Sequence, residues 1–240
     1  MQIFNNKVIL FLLIIVSTGF FVVRLAHPQT QPQEINWWQV QSIDTMKYSR
    51  DIAREKLKDT SFDRVIEDQV EKIARTGATH VALATPYDEE FLPFLRRWVS
   101  AVRKQNLLVW FRGNFSGWEG WFGYPKINPD EHLTKTKNFI ENHADLFINN
   151  DIFTSCPECE NGGPGDPRQT RDVTSHRQFL IKEYTISREA FTKIGKQVKS
   201  NYFSMNADVA RLIMDKETTN ELGGIVVIDH YVATPQKLVD

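Results

Sequence analysis

Features that would define several functional classes are missing from this sequence of 240 residues. Positive charge is not in excess, because 29 Lys and Arg residues are balanced by 30 Asp and Glu residues, and no basic stripe is present. Nucleic-acid-binding domains concentrate Lys and Arg on one surface. We therefore expect no nucleic acid partner.

Cofactor and metal motifs are missing as well. The residues after the first predicted strand, 44–48, include no glycine, whereas open doubly wound sheets usually carry a Gly-rich phosphate loop there. A metal-dependent hydrolase on a barrel would typically show His-x-His on its first strand, and Ile43-Asp44-Thr45 has none. We expect neither a cofactor nor a metal ion.

The N-terminus is the one long apolar run. Residues 8–23 carry no charge and are flanked by Lys7 and Arg24. A membrane span usually needs about 20 apolar residues, with about 17 at the low end, so this segment is marginal. Residues 1–26 are predicted to be a hydrophobic helix, either an uncleaved signal anchor or a cleaved signal peptide. Residues 27–34 form a polar tether, and the domain at 35–240 is expected outside the cytoplasm, anchored to the membrane or, alternatively, secreted.

From residue 35 onward, short β-rich runs alternate with amphipathic helical stretches. Such alternation predicts an α/β fold with a parallel sheet and helices outside it. The six predicted strands cover residues 38–44, 80–84, 107–111, 151–155, 197–205 and 224–228. An eight-unit barrel typically needs about 250 residues, and about 205 remain here. We expect an incomplete (β/α)8 TIM barrel of about six βα units.

Two carboxylates follow the fourth predicted strand, where residues 156–163 read Cys-Pro-Glu-Cys-Glu-Asn-Gly-Gly. Glycosidic bond cleavage needs a carboxylic acid that protonates the leaving oxygen, and a partly buried Glu at a strand exit can have the raised pKa required. Glu158 is the candidate acid/base because it lies nearer the strand, and Glu160 is the alternative. The simpler interpretation is that both accept backbone hydrogen bonds in a turn.

The loop after the third strand is rich in aromatic residues and glycine. Flat rings can pack on a sugar ring while polar groups bind its hydroxyls, although the same rings could instead form a small core under the loop. The predicted substrate-binding residues, taken from this loop and from later strand exits, are Trp110, Arg112, Asn114, Trp118, Trp121, Tyr124, Asn206, Asp229, His230 and Tyr231.

The two cysteines, Cys156 and Cys159, form a single C-x-x-C. A local disulfide or another structural role, a metal site and redox catalysis all remain open from the sequence. The metal interpretation lacks two further patterned ligands, and the redox interpretation lacks a helix N-terminus that would stabilise the thiolate.

Three features together resemble the (β/α)8 glycoside hydrolases of the cellulase-like superfamily. They are Glu158 at the fourth strand exit, the aromatic loop with Arg112, and the run Ile228-Asp229-His230-Tyr231. The resemblance implies that Glu158 is the acid/base and that a nucleophilic Glu ends strand seven. The sequence departs from the family pattern in two places: Pro157 replaces the usual Asn before the acid, and strand seven is absent.

These observations predict a glycoside hydrolase that acts on a β-linked oligo- or polysaccharide. A chain without strand seven is expected to show little or no hydrolysis by itself. One alternative is a non-catalytic extracellular carbohydrate-binding or cell-surface protein. A less favoured one is a thiol or metal protein that uses the C-x-x-C.

Overall fold

The structure, a computed structural model, describes residues 39–229. The predicted N-terminal helix, the tether, His230 and Tyr231 lie outside the described residues. Among residues 39–229, no helix has both the length and the apolar character that a membrane span requires.

The described chain alternates strands and helices as an α/β protein. The strands are β1 (Ser42–Asp44), β2 (His80–Leu83), β3 (Leu108–Phe111), β4 (Ile152–Phe153), β5 (Lys199–Ser200), β6 (Ser204–Asn206) and β7 (Val227–Asp229). The helices are α1 (Met46–Ser49), α2 (Ala53–Lys56), α3 (Asp63–Arg75), α4 (Leu92–Lys104), α5 (Ser116–Glu119), α6 (Pro129–Asn142), α7 (Pro167–Thr170), α8 (Val173–Lys193), α9 (Ala207–Ile213) and α10 (Lys216–Glu221).

The first five strands form one parallel sheet in the order β1-β2-β3-β4-β5, and β6 pairs with β7 in parallel. Within each sheet, every connection leads to the neighbouring strand. A doubly wound sheet instead reverses its strand order at a switch point. The sequential order is therefore compatible with part of an α/β barrel.

One guanidinium brings the strand ends of both sheets together. Arg112, directly after β3, contacts Asp44 on β1 and Asp229 on β7 at 2.9 and 3.2 Å. Neighbouring strands lie about 4.8 Å apart, so in a flat sheet β1 would lie about 10 Å from β3. β7 belongs to the two-stranded sheet, and the same side chain reaches its end as well. We call the side on which the ends of β1, β3 and β7 converge the concave side.

The predicted fifth strand at 197–205 is wrong as a single element, because the structure divides it into β5 and β6. Asn201 lies between them with a φ of 51°, a left-handed conformation that interrupts a strand. Its amide donates to the backbone oxygen of Glu183 and to Ser187, both at 2.9 Å. The buried amide therefore holds the break in place.

Side chains on the convex side of the sheet form the core with the helices. Phe111 and Phe153 occupy paired positions on β3 and β4, and both are fully buried. Their rings contact Phe147, and Phe153 also contacts Phe191 of α8. Because side chains alternate across a strand, the neighbour of Phe111, Trp110, faces the concave side.

Candidate active site

Arg112 is at the centre of the concave side, where the strand ends converge. In addition to its ion pairs with Asp44 and Asp229, it donates a 2.8 Å hydrogen bond to the Ser204 hydroxyl. These residues line a cavity of about 130 Å³ together with Ser42, Ala82, Trp110 and Val227. Pockets that enclose small ligands usually measure about 300–1,000 Å³. This cavity is therefore too small to enclose a typical small ligand, which would have to extend out of its open side.

Asp229 and Glu158 form a carboxyl pair beside this arginine. The pKa of Asp229 is raised to about 6, chiefly because the residue is partly buried and also because of a hydrogen bond with Glu158, while Arg112 opposes both effects. Asp229 Oδ2 is buried and receives no N–H or O–H donor from the residues that the structure describes. Two ionised carboxylates are both acceptors, so a hydrogen bond between them needs a shared proton. The raised pKa belongs to Asp229, so Asp229 keeps its proton to a higher pH than an ordinary aspartic acid does.

The backbone around Glu158 is closely constrained. A disulfide joins Cys156 to Cys159, with the two Cα atoms 5.1 Å apart, and both cysteines are buried. Glu158 lies inside this four-residue turn with a φ of 49°. Its backbone N–H donates to the oxygen of Ser204 on β6 at 2.9 Å. These contacts attach the turn after β4 to β6, the strand that pairs with β7.

Glu160, the alternative acid, has a different environment. It is 1% exposed and accepts hydrogen bonds from both the backbone N–H and the side-chain amide of Asn206, at 2.8 and 3.0 Å. Burial raises its pKa, and the two bonds from Asn206 oppose that effect. Glu160 thus ties the turn after β4 to the start of α9. Asn206 is the residue directly before α9, but its side chain does not cap that helix and binds Glu160 instead.

Two predicted substrate-binding residues lie in the core, which corrects their assignment to the sugar site. Trp118 and Asn114 are both 0% exposed. The Trp118 ring stacks on Phe179 at 4.9 Å, and its indole N–H donates to Cys159. Asn114 accepts a hydrogen bond from His132 at 2.9 Å. Neither side chain has surface left for a ligand, so this part of the loop forms the small core that was the competing interpretation.

Trp110, Trp121 and Tyr124 of the loop are partly exposed. Trp110 borders the cavity, and its indole N–H donates to Thr154 at 3.0 Å. Arg50 lies over the Trp121 ring at 4.7 Å. Tyr124 donates to Glu90 at 2.7 Å. Of the predicted binding residues that are described, the structure brings Trp110, Arg112 and Asp229 together at the cavity.

Sequence reasoning did not single out Ser204 or Glu119. Ser204 gave no signal, since a serine late in a strand is common. Glu119 stands out in retrospect as the one acid within the aromatic and glycine-rich loop. The pKa of Glu119 is raised from 4.5 to about 7, chiefly by burial and also by the negative charge of Glu158, while Arg50, a bond with Trp121 and Lys126 oppose the rise. A side chain at Gly162 would lie 3.2 Å from Glu119 Cγ, so the two loops are in close contact.

Glu119→Gln is expected to stabilise the protein above about pH 7 and to have no effect below about pH 4.5. The folded state holds the Glu119 proton at pH values where the unfolded chain has lost it, so wild-type stability falls as pH rises from 4.5 to about 7. A shift of this size corresponds to about 3–4 kcal/mol, and partial exposure reduces it to about 1–3 kcal/mol. Urea unfolding at several pH values across this range measures the difference in the free energy of unfolding between Glu119→Gln and wild type. Glu217→Gln, at an exposed position of α10, is the control, and equal effects of both variants would contradict the prediction.

Comparison with protein-family models, with curated proteins and with solved structures found no match to this chain. The functional inference therefore depends on the residues and their geometry.

Proposed function

We propose that this chain carries the acid/base side of a glycoside hydrolase site on a (β/α)8 barrel scaffold, with a β-linked oligo- or polysaccharide as substrate. Glu158 is the acid/base. The sequential strand order and the convergence of strand ends on Arg112 support the barrel scaffold. We also propose an extracytoplasmic location, with residues 1–26 as the membrane anchor.

The observation that carries this proposal is the carboxyl pair of Glu158 and Asp229 on the concave side. A general acid must hold its proton near the working pH and release it to the leaving oxygen. A pair of close carboxyls keeps one proton because both cannot ionise freely. Glu158 is the member on the loop after β4, and both members of the pair are partly exposed.

Asp229 is too close to Glu158 to serve as the second catalytic carboxylate. Retaining enzymes separate the two carboxyl groups by about 5–5.5 Å and inverting enzymes by about 6.5–9.5 Å. Side chains that share a hydrogen bond approach within about 3 Å. Because β5 and β6 together replace the predicted fifth strand, β7 corresponds to the sixth barrel strand. The nucleophile in this proposal is a Glu on the seventh barrel strand, as the family resemblance implies.

The close spacing of the Glu158 and Asp229 carboxyl groups also favours a second candidate, a non-catalytic glycan-binding protein on this scaffold. In that case the polar groups around Arg112 and the Trp110 ring would bind sugar without cleaving it. Both candidate functions would use the same surface. Hydrolysis would need the Glu158 proton, whereas sugar binding alone would not.

Both candidates are tested with the full-length gene product and a panel of β-linked glucans, xylans, mannans and galactans. Calorimetry measures binding, and new reducing ends measure hydrolysis. Hydrolysis of at least one glycan supports the proposed hydrolase, and binding without hydrolysis supports the second candidate. Neither binding nor hydrolysis would contradict both. Glu217→Gln should behave as wild type in each assay.

A further inference from the structure

The turn that carries Glu158 contains a second polar side chain, Asn161, whose orientation is fixed by its neighbours. Its Oδ1 accepts hydrogen bonds from Arg168 Nη2 at 2.8 Å and from Asn206 Nδ2 at 3.3 Å. Because both neighbours donate, the oxygen of the amide must face them and the NH₂ group must face the other way. That NH₂ group donates to Glu158 Oε2.

Arg168 is itself held in place. Its Nε and Nη2 bond to the two carboxylate oxygens of Asp166, each at 3.0 Å, in a bidentate arrangement. Asp166 is 6% exposed and also accepts the backbone N–H of Arg168, so it caps α7. Bidentate pairs between Arg and a carboxylate fix direction as well as distance. A chain of hydrogen bonds therefore runs from Asp166 through Arg168 and Asn161 to Glu158.

Backbone conformation does not explain why an asparagine occupies position 161. In this turn Glu158 and Gly162 have positive φ angles, and Asn161 does not. The backbone N–H of Asn161 donates to the oxygen of Glu158 at 2.8 Å, a bond that any residue except proline could make. What the asparagine adds is its side-chain amide, which accepts from Arg168 and donates to Glu158.

We infer that Asn161 is a positioning residue for Glu158, and that Arg168 and Asp166 set the direction of its amide. This inference rests on the proposed role of Glu158 as the acid/base. The donated bond fixes the direction of the Glu158 carboxyl group. The disulfide of Cys156 and Cys159 constrains the backbone of the same residue, so main chain and side chain are positioned by separate contacts.

The kinetic test compares Asn161→Asp and Asn161→Ala with wild type in the full-length gene product, using aryl β-glycosides of increasing leaving-group acidity. Asn161→Asp keeps the shape of the side chain but replaces the donor with an acceptor. A misplaced acid is expected to lower kcat/KM about 10–100-fold on phenyl glycosides. On dinitrophenyl glycosides, whose leaving group needs no proton, the loss should be less than about threefold. Equal losses on both substrates would overturn the inference.

A spectroscopic test does not depend on turnover. Carboxyl carbons of glutamate are labelled with ¹³C, and the Glu158 signal is assigned by its loss in Glu158→Gln. Asn161→Ala is expected to shift the Glu158 signal, and Arg168→Gln to shift it in the same direction by a smaller amount. Asn220→Ala, at an exposed position of α10, should leave it unchanged. An unchanged signal in Asn161→Ala would overturn the inference.

The two tests separate this inference from the proposed function. If wild-type protein cleaves no glycoside, the hydrolase proposal fails, while the carbon signal still decides whether Asn161 orients Glu158. If hydrolysis is found but depends equally on Asn161 for all leaving groups, the hydrolase proposal stands and the positioning role fails.

Discussion

Glu158→Gln in the full-length gene product is expected to lower kcat/KM on phenyl β-glycosides by about 10²–10⁴-fold, the usual contribution of general acid–base catalysis. Glutamine has the shape of glutamate and can still accept the amide of Asn161 and contact Asp229. It cannot release a proton to the leaving oxygen. The loss should therefore appear in kcat with little change in glycan affinity, which calorimetry can measure separately.

Glu160→Gln is the informative comparison for Glu158→Gln. The glutamine oxygen can still accept both hydrogen bonds of Asn206, so this variant should fold and should retain most of the activity. If Glu160→Gln loses activity and Glu158→Gln does not, the roles of the two acids are reversed. If both variants cleave phenyl glycosides at the wild-type rate, neither carboxylate is the acid.

The general location of the site could be predicted from the sequence because parallel strands bring their carboxyl ends together. Apolar runs marked the strands, so residues that follow them, such as Glu158, Arg112 and Asp229, were expected on one side of the sheet. The helix cap at Asn128 was also predictable, since an Asn-Pro-Asp-Glu start is a local signal, and the structure has the bond from Glu131 N–H to Asn128.

Contacts between distant segments could not be predicted in the same way. Whether Trp118 faces a ligand or the core is decided by Phe179 on α8, far along the chain. The hydrogen bond between Glu158 and Asp229 depends on how the two sheets lie against each other, and no local sequence pattern predicts that. The break at Asn201 depends on hydrogen-bond partners supplied by α8. In each case tertiary packing chose between conformations that the local sequence allowed.

Asp151 is the residue whose removal should destabilise the fold most. It precedes β4, is fully buried and accepts the backbone N–H groups of Val109 and Ile148, each at 2.9 Å. Its carboxylate also pairs with Arg103 of α4, which in turn donates to the backbone oxygen of Leu107. One side chain therefore joins β3, the turn before β4 and a helix. Without it, two backbone donors and a partly buried cation would lose their partner.

Asp151→Ala is expected to lower the free energy of unfolding by about 3–5 kcal/mol, since removing one member of a buried ion pair leaves the other charge uncompensated. Urea unfolding at neutral pH, followed by circular dichroism, measures the change. Asp68→Ala is the matched control because Asp68 pairs with Lys72 on the exposed face of α3. Exposed ion pairs of this kind contribute about 0.3–0.5 kcal/mol, so that variant should remain close to wild type. A buried donor without a partner alone costs about 1–3 kcal/mol. A loss below about 1 kcal/mol for Asp151→Ala would therefore contradict the prediction. It would mean that Arg103 and the two N–H groups find other partners.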